Sequence, residues 1–326
     1  MSQLSGNRSR PENIAVSPEQ AGRRIDNFLL AYLKTIPKSR VYQMLRRGEV
    51  RANGGRIKPD YRLQPGDDIR IPPVFEQARA DPGKPPARLV DMIRACVMHE
   101  DERIIVVNKP SGLVVHAGSG SAFGVIEALR ELYQPAQTLH LVHRLDKETS
   151  GCLLIAKDMV VLRQVNQALK NGEVEKEYDA LLQGRLRKKN LRVNTPLQRH
   201  RNRRGEGQVR PDESGKSAIS GFSTVKVFRD ATLVKVRTAT GRTHQVRVHA
   251  ASIGHPLAGD GKYGDREFNR KMRKLGLKRM FLHAGKLSVP VLKKTGQYQF
   301  SALSPDDLEQ VLTRLSQAQA QYHLPG

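Results

Sequence analysis

One acidic side chain, Asp146, stands in a polar turn between two apolar segments of the stretch 141–157. His143, Arg144 and Lys147 flank it. Because nearby positive charge favours the charged form of a carboxyl group, we expect Asp146 to be ionised at neutral pH. An ionised carboxylate on a turn can act as a nucleophile, a base or an ion-pair partner. A structural ion pair is the ordinary role of an Asp beside an Arg, so the rest of the sequence has to decide between these roles.

Motifs of cofactor-dependent enzymes are absent from the sequence. There is no Walker loop, G-x-G-x-x-G, zinc-ligand spacing, G-x-S-x-G or H-E-x-x-H. We therefore expect neither a metal nor a cofactor, and a reaction that protein side chains can carry out alone. An isomerisation or a hydrolysis fits this expectation, whereas redox chemistry and phosphoryl transfer do not.

The charge of the chain predicts a polyanionic partner. Its 56 Lys and Arg residues outnumber 32 Asp and Glu residues, giving a formal net charge of +24. An excess of this size attracts nucleic acid and steers its association. No stretch approaches the roughly 18 apolar residues of a membrane-spanning helix, and no basic amphipathic helix with aromatic anchors appears. The first ten residues lack the apolar segment of a signal peptide. We expect a cytoplasmic protein that binds no membrane.

Capping and periodicity predict a small helical module near the N-terminus. The sequence Ser-Pro-Glu-Gln at 17–20 is typical of a helix start, and an apolar stripe at helical spacing follows over 25–33. A second helix is predicted from Ser39 to Arg47, with Gly48 ending it. Strand and turn patterns follow at 49–56 and 63–71. The basic side chains of this module are candidate RNA contacts: Lys38, Arg40, Arg46, Arg47, Arg51 and Lys58.

A proline-rich segment marks the boundary between two domains. Five prolines lie between residues 72 and 86, a composition typical of a semi-rigid linker. We predict a disordered leader over 1–13, an N-terminal domain over 14–75, a linker over 76–88 and a C-terminal domain over 89–322.

The C-terminal domain is predicted to be α+β, because its strands and helices do not alternate as in βαβ units. Apolar runs at 103–108 and 113–116 predict a hairpin. Asp158 is predicted to cap a helix that ends at Gly172. Residues 199–205 form a basic segment that we expect to be a loop. Further predicted elements are helices near 123–133 and 243–253, and strands at 152–156, 175–182, 221–228 and 231–238.

The segment 240–249 fixes one arginine on a rigid element. Gly241 is expected to make a turn and Thr243 to cap a helix. Val246 and Ala250 lie at the spacing of a helical stripe. Arg247 would lie on a second face of this helix, positioned by the backbone rather than free in solvent.

These motifs resemble two known families. The N-terminal module resembles the S4 RNA-binding domain through Arg24-Ile-Asp26, Ser39-Arg40, the segment 48–54, Lys58-Pro59 and Gly66-Asp67. The C-terminal domain resembles the pseudouridine synthases of the RluA class, over its whole length and with its motifs in the same order. These motifs are His-Arg-Leu-Asp-Lys-Glu-Thr-Ser-Gly at 143–151 and the segments 108–116, 176–178, 240–249 and 281–284.

The resemblance implies roles for individual residues. Asp146 would be the nucleophile that attacks the ribose C1′ or the base C6, or else the base that removes the 2′ proton. Tyr178 would stack on the extruded base and could later act as general base at C5, and Arg247 would pair with Asp146. Candidate substrate-binding residues are Arg144, Lys147, Leu282, Lys109, Arg242 and His244. Of these, Lys109, Arg242 and His244 are expected to be loop supports or phosphate contacts rather than catalytic residues.

The resemblance also implies a substrate. The expected partner is 23S ribosomal RNA or a precursor of the large ribosomal subunit, bound by a monomer. Two alternatives remain open at this point: the same chemistry on another ribosomal or transfer RNA, and a non-catalytic RNA-binding assembly factor in which Asp146 is a structural anion.

Overall fold

The computed structural model divides the chain into two compact units, residues 1–83 and 84–326. It describes residues 11–33, 36–74, 83–118, 120–133, 138–201, 207–290 and 297–321. Most of the predicted leader, residues 76–82 of the predicted linker and residues 202–205 of the predicted basic loop lie outside the described residues.

The first unit packs two helices on a small sheet. Strand order in this sheet is β1-β4-β2-β3, and Ile25, Leu29, Val41 and Met44 form the buried centre of the core. Its elements are β1 (Glu12–Ala15), α1 (Ile25–Tyr32), α2 (Lys38–Arg47), β2 (Arg51–Ala52), β3 (Gly55–Arg56) and β4 (Asp68–Ile71).

Two boundaries in this unit differ from the sequence-based prediction. Glu12 and Asn13, placed in a disordered leader, pair with β4 as part of β1. The signal at Ser17 starts only a single 3₁₀ turn, Pro18–Gln20, and α1 begins at Ile25. The interruption has a local cause, because Gly22 adopts a positive φ of 75° and its N–H donates to the Leu63 carbonyl (2.8 Å). Gly48, in contrast, ends α2 in the left-handed conformation, as its type predicts.

The second unit is built on one large mixed sheet. Its elements are α3 (Ala87–Ala95), β5 (Val97–Glu100), β6 (Ile104–Lys109), α4 (Val125–Leu132), β7 (His140–Leu141), β8 (Ser150–Ala156), α5 (Met159–Asn171), β9 (Glu175–Gln183), β10 (Asn190–Asn194), β11 (Leu197–Arg201), β12 (Gly207–Pro211), β13 (Ile219–Val227), β14 (Ala231–Thr238), α6 (Gln245–Ser252), α7 (Arg266–Lys274), β15 (Leu282–Pro290), β16 (Gln297–Ser301) and α8 (Asp306–Gln321). Helix α3 begins inside the segment assigned to the linker.

Strand order confirms the α+β fold class. The sheet runs β10-β13-β14-β9-β15-β8-β6-β5, with β16 on β15 and β7 on β8, while β11 and β12 form a separate hairpin. Among the pairings within the described residues, β8 with β15 is the parallel one, and the others are antiparallel.

Strands β6 and β8 are buried on both faces. Ile104 and Leu154 pack with α5 on one side of the sheet, whereas Ile105 and Ile155 pack with α3 and α4 on the other side. Successive residues of a strand point to opposite faces, so an uninterrupted apolar strand requires helices on both sides. Burial of each such side chain contributes about 1.5–3 kcal/mol, which makes these two strands the rigid centre of the unit.

The predicted hairpin between 103–108 and 113–116 is wrong. Strand β6 pairs with β5 and β8 instead, and 113–116 is not a strand. Its backbone carbonyls are used elsewhere: the N–H groups of Val125 and Ile126 donate to the Val114 and Val115 carbonyls (both 3.1 Å). The second apolar run therefore receives the N-terminus of α4.

The basic segment predicted as a loop begins as a strand. Arg199, His200 and Arg201 lie in β11, which pairs with β12. The charged side chains obscured the strand pattern of this segment. Among the described side chains of β11, Leu197 is the one that belongs to a buried cluster.

Gly151 lets the turn that carries Asp146 pass directly into the sheet. Its φ is 112°, and a Cβ atom added there would clash with the backbone of Ala284 in β15. Ser150 and Gly151 pair with His283 and Ala284 at this point. Only glycine combines this backbone conformation with so close an approach of two strands.

We expect Gly151→Ala to lower the free energy of unfolding of the second unit by about 2–5 kcal/mol. A left-handed non-glycine residue costs roughly 1–2 kcal/mol, and overpacking adds about 1–3 kcal/mol. Gly254→Ala is the matched control, because Gly254 has a φ of 77° but nothing within 4 Å of an added Cβ. Denaturant unfolding followed by circular dichroism compares the two variants. Equal losses would contradict the role of the close approach to Ala284.

Candidate active site

The turn that carries Asp146 connects β7 to β8 and is held by its backbone. Thr149 N–H donates to the Asp146 carbonyl (3.1 Å), and Gly112 N–H donates to the Lys147 carbonyl (2.8 Å). Ser111 Oγ donates to the Glu148 carbonyl (2.8 Å). The segment after β6 thereby fixes the turn, and the Asp146 side chain is presented at its apex.

Lys109 is a support of this turn, which corrects its prediction as a substrate contact. Its side chain is fully buried. Its amino group donates to the carbonyls of Pro110 (2.9 Å), Leu113 (2.8 Å) and Lys147 (3.2 Å). Burial lowers the pKa of Lys109 to about 7, against the opposing charges of Asp146 and Glu148. An ammonium has three N–H donors, so none remains for a substrate.

Arg247 pairs with Asp146, as the sequence predicts, but its stronger partner is a residue that the sequence did not reveal. Its Nη1 donates to Asp146 Oδ2 (3.2 Å). Its Nε and Nη2 donate to the two carboxylate oxygens of Asp260 (2.7 and 2.8 Å). The Asp260 side chain is completely buried, and the Arg247 guanidinium holds the pKa of that carboxyl below its ordinary value despite the burial. A glycine on each side of Asp260 was the one sequence feature that marked a special turn there.

Helix α6, which carries Arg247, starts one residue later than predicted. The residue before it is His244, with a positive φ of 54°, rather than Thr243. Gln245 closes the loop instead: its Oε1 accepts from Thr240 Oγ1 (2.7 Å) and from Arg242 N–H (3.1 Å). A left-handed non-glycine residue is costly, of order 1–3 kcal/mol, and such positions cluster at functional sites.

His244 is the second group that faces Asp146. Its Nε2 lies 3.8 Å from Asp146 Oδ2, and its Nδ1 lies 2.8 Å from the Tyr263 hydroxyl. Burial, which is the largest cause, lowers the pKa of His244, so the ring is neutral at neutral pH. His244 was predicted to bind substrate; the structure places it beside the carboxylate and in the lining of the cleft.

The two oxygens of Asp146 have different surroundings. Arg247 and His244 both face Oδ2, and no hydrogen bond from the described residues reaches Oδ1. One oxygen is thus anchored to a cation, while the other has no hydrogen-bond donor among the described residues. This arrangement suits a nucleophile or a base better than a structural ion pair, in which both oxygens would be satisfied.

A cleft of about 670 Å³ opens next to Asp146. Tyr178 and Leu282 line it together with Arg144, Arg242 and His244. Lys147 is exposed and does not belong to the lining. The volume lies in the range of small-molecule sites, about 300–1,000 Å³, so a single nucleotide unit fits.

Tyr178 forms part of the apolar side of this cleft. Its ring packs against two apolar clusters, one around Val107 and Leu153 and one around Ala180 and Val246. Burial, and next the charge of Asp146, raise the pKa of Tyr178 to about 12. The hydroxyl therefore keeps its proton at neutral pH.

Lys176 is a cleft residue that the sequence-based prediction did not select. It lines the cleft two residues before Tyr178, and its side chain is half-buried. Burial lowers the pKa of Lys176, and no carboxylate among the described residues opposes this effect. Two features of the sequence could have indicated Lys176. It is a cation, and it lies two residues before Tyr178 on β9, so that both side chains point to the same face of the strand.

The candidate RNA contacts of the first unit are mostly exposed, although Arg47 also lies 3.9 Å from Glu49 Oε1 and Arg51 donates to the Gly54 carbonyl (3.4 Å). Lys38, Arg46, Arg47, Arg51 and Lys58 are exposed. Arg40 is not free, because its Nη2 pairs with Glu49 Oε2 at 2.8 Å.

In the described part of the chain, no group of three or more His, Cys, Asp or Glu is arranged to hold a metal ion. None of the described helices has the length and the apolar character needed to cross a membrane.

We expect Asp260→Asn to lower both stability and turnover. Removing one partner of a buried ion pair costs about 3–5 kcal/mol of unfolding free energy, and it releases Arg247 from the position in which Nη1 reaches Asp146. Asp307→Asn is the matched control, because Asp307 also receives two bonds from one arginine, Arg279, but is half exposed. Its loss should cost about 0–1 kcal/mol. Thermal unfolding and single-turnover kinetics compare the two, and a similar small loss for both would contradict the central role of Asp260.

Comparison with known proteins agrees with this site. The sequence profile of RNA pseudouridylate synthases matches residues 103–252, and that of the S4 domain matches residues 23–69. Ribosomal large subunit pseudouridine synthase C of Pasteurella multocida (strain Pm70) is 48% identical over 272 residues, 83% of each chain. The protein of that name from Haemophilus influenzae is 44% identical over 308 residues, 94% of this chain and 95% of its own.

One solved structure has a fold similar to much of this chain. Human RNA Pseudouridylate Synthase Domain Containing 4 superposes with a TM-score of 0.58 at 26% identity, over 70% of this chain and 96% of its own. These findings confirm the resemblance seen in the motifs. The chain belongs to the RluA class of RNA pseudouridylate synthases and carries an S4 domain in its N-terminal unit.

Proposed function

We propose that this enzyme isomerises specific uridines of large-subunit ribosomal RNA, the 23S RNA, to pseudouridine, with Asp146 as the reacting group. The observation that carries the proposal is the asymmetry of the Asp146 carboxylate. Its Oδ2 is anchored by Arg247 and its Oδ1 accepts no hydrogen bond from the described residues, while the residue lines a cleft large enough for one nucleotide. A carboxylate in this position can add, leave and accept a proton without a cofactor.

The reaction breaks the bond between N1 and the ribose C1′, rotates the uracil and rejoins it to C1′ through C5. C5 loses a proton and N1 gains one, so atoms and charge balance without any second substrate. Asp146 Oδ1 can attack C1′, attack C6 of the base, or remove the 2′ proton. In each case the negative charge of the carboxylate is consumed and regenerated, which the Arg247 guanidinium beside it supports.

Tyr178 is proposed to stack on the extruded uracil. It lines the cleft with its ring packed on the core beneath, and aromatic rings stack with bases at about 1–3 kcal/mol per base. A role as general base at C5 would require the phenolate. That form is scarce at neutral pH with a pKa of about 12, which favours the stacking role. Leu282, almost fully buried, would pack against the same base.

The cations at the rim are proposed to hold the RNA backbone. Arg144, Lys147 and Arg242 are exposed, and Lys176 adds a half-buried amino group inside the cleft. Extrusion of a base from a stacked helix costs a few kcal/mol, and phosphate contacts offset this cost. Lys109 takes part only by positioning the turn of Asp146.

The choice of large-subunit RNA rests on the relatives, whose names assign them to the ribosomal large subunit, and on the S4 domain. We propose that the exposed basic residues of that domain add affinity for the RNA. The cytoplasmic location and the monomeric state stay predictions.

We expect Asp146→Asn to abolish turnover while RNA affinity changes by only a few-fold. The amide keeps the size of the side chain but cannot act as a nucleophile or base. Release of tritium from large-subunit RNA labelled at C5 of uridine measures turnover, and filter binding measures affinity. Equal release by the wild type and the variant would refute the proposal and favour a non-catalytic RNA-binding factor.

We expect Arg46→Ala combined with Arg47→Ala to weaken RNA binding and to flatten its salt dependence. Each lost phosphate contact reduces the slope of log K against log salt by about 0.7–0.9. The matched control is Arg270→Ala with Arg273→Ala, which removes two exposed arginines from one helix of the second unit. Binding titrations at several salt concentrations compare the pairs. Identical effects would show that total charge matters rather than the S4 surface.

A further inference from the structure

Tyr263 connects the β11–β12 hairpin to the catalytic carboxylate through His244. Val209 N–H, in β12, donates to the Tyr263 hydroxyl oxygen (3.0 Å). The same hydroxyl lies 2.8 Å from His244 Nδ1, and the opposite ring nitrogen faces Asp146 Oδ2. This chain of contacts determines where the proton of the His244 ring must lie.

The hydroxyl of Tyr263 has one proton and one available acceptor. A backbone N–H can only donate, so Tyr263 accepts from Val209 and has its own proton left. Within the described residues, His244 Nδ1 is the one remaining group in contact with that oxygen. Nδ1 therefore accepts, and in a neutral ring the proton then lies on Nε2.

The carboxylate selects the same tautomer independently. If Nδ1 carried the proton, the lone pair of Nε2 would point toward the negative Asp146 Oδ2 at 3.8 Å. The Nε2–H tautomer replaces this repulsion with attraction. At 3.8 Å the contact is electrostatic rather than a hydrogen bond, so the ring supports Oδ2 without binding it tightly.

We propose that Tyr263 is a positioning residue that fixes His244 as the Nε2–H tautomer, so that His244 and Arg247 together hold Asp146 Oδ2 and leave Oδ1 to the uridine. This inference rests on the proposed function. Tyr263 also stacks its ring against the Arg247 guanidinium, 5.0 Å from the ring centroid. One side chain thus orients both groups that face the carboxylate.

The ring must also stay neutral to fill this role. Asp146, Asp260, Arg247 and Lys262 surround His244, and burial with the two cations outweighs the two carboxylates in lowering the pKa of His244. The Tyr263 hydroxyl adds to this effect, because it can donate to Nδ1 only when Nδ1 is unprotonated. An imidazolium would place a second full cation on Asp146 and make the carboxylate less reactive.

Tyr263→Phe therefore tests the inference through the pH profile. Loss of the hydroxyl should raise the pKa of His244, so that the ring is protonated at a higher pH than in the wild type. We expect the acid limb of kcat to move to higher pH, and kcat at neutral pH to fall on the order of tenfold, below the hundredfold that a 1 Å misplacement can cost. KM should stay within twofold, since Tyr263 is not among the cleft-lining residues.

Tyr298→Phe is the matched control. Its hydroxyl donates to the Asp101 carboxylate (2.6 Å), in the same unit but outside the cleft. It should lose stability without a shift of the pH profile. Superimposable profiles of the two variants would overturn the inference.

A direct measurement does not depend on activity. Long-range ¹H–¹⁵N correlation spectra of the wild type, with the His244 signals assigned by their absence in His244→Gln, report which ring nitrogen carries the proton. We expect the Nε2–H pattern at pH 8. An Nδ1–H pattern, or averaged signals, would overturn the inference, whereas inactivity on uridine RNA would refute only the proposed function.

Discussion

The structure of the site depends on one buried guanidinium shared by two carboxylates. Removing charges from water costs several kcal/mol per ion, so Arg247 can be buried in α6 only with a partner of matching geometry. Asp260 supplies that partner with two hydrogen bonds. The remaining Nη1 then points at Asp146. The pairing with Asp260 provides the stability, and the weaker pairing with Asp146 leaves a carboxylate that is held but still able to react.

This arrangement requires segments that are distant in the chain to meet, and the sheet behind them brings them together. Arg247 and Asp146 are 101 residues apart in the chain. The turn of Asp146 leads directly into β8, a strand buried on both faces, and β8 pairs in parallel with β15 at Gly151. Strand β15 in turn pairs with β9, which carries Tyr178. Neighbouring strands of one sheet thus fix the carboxylate and the aromatic ring relative to each other.

The sequence predicted those features that depend on neighbouring residues. Gly48 and Gly172 end their helices, Asp158 caps α5, and Arg247 lies on a helix. The family and the fold class were also predicted correctly, because long motifs carry information on the whole domain. The pairing of Arg247 with Asp146 was implied by the resemblance alone.

What the sequence did not reveal depends on contacts between distant segments. The run at 113–116 has the composition of a strand, but its carbonyls receive the backbone of α4. Lys109 has the type of a phosphate contact, but its amino group reaches a carbonyl 38 residues away and is fully used there. The net charge of +24 predicted an RNA partner, but it could not show which of the Lys and Arg residues contact the RNA. Exposed arginines such as Arg46 differ from Lys109, Lys176 and Arg247 in burial, and on the proposed function burial separates the cations that attract RNA from those that position or assist the reacting carboxylate.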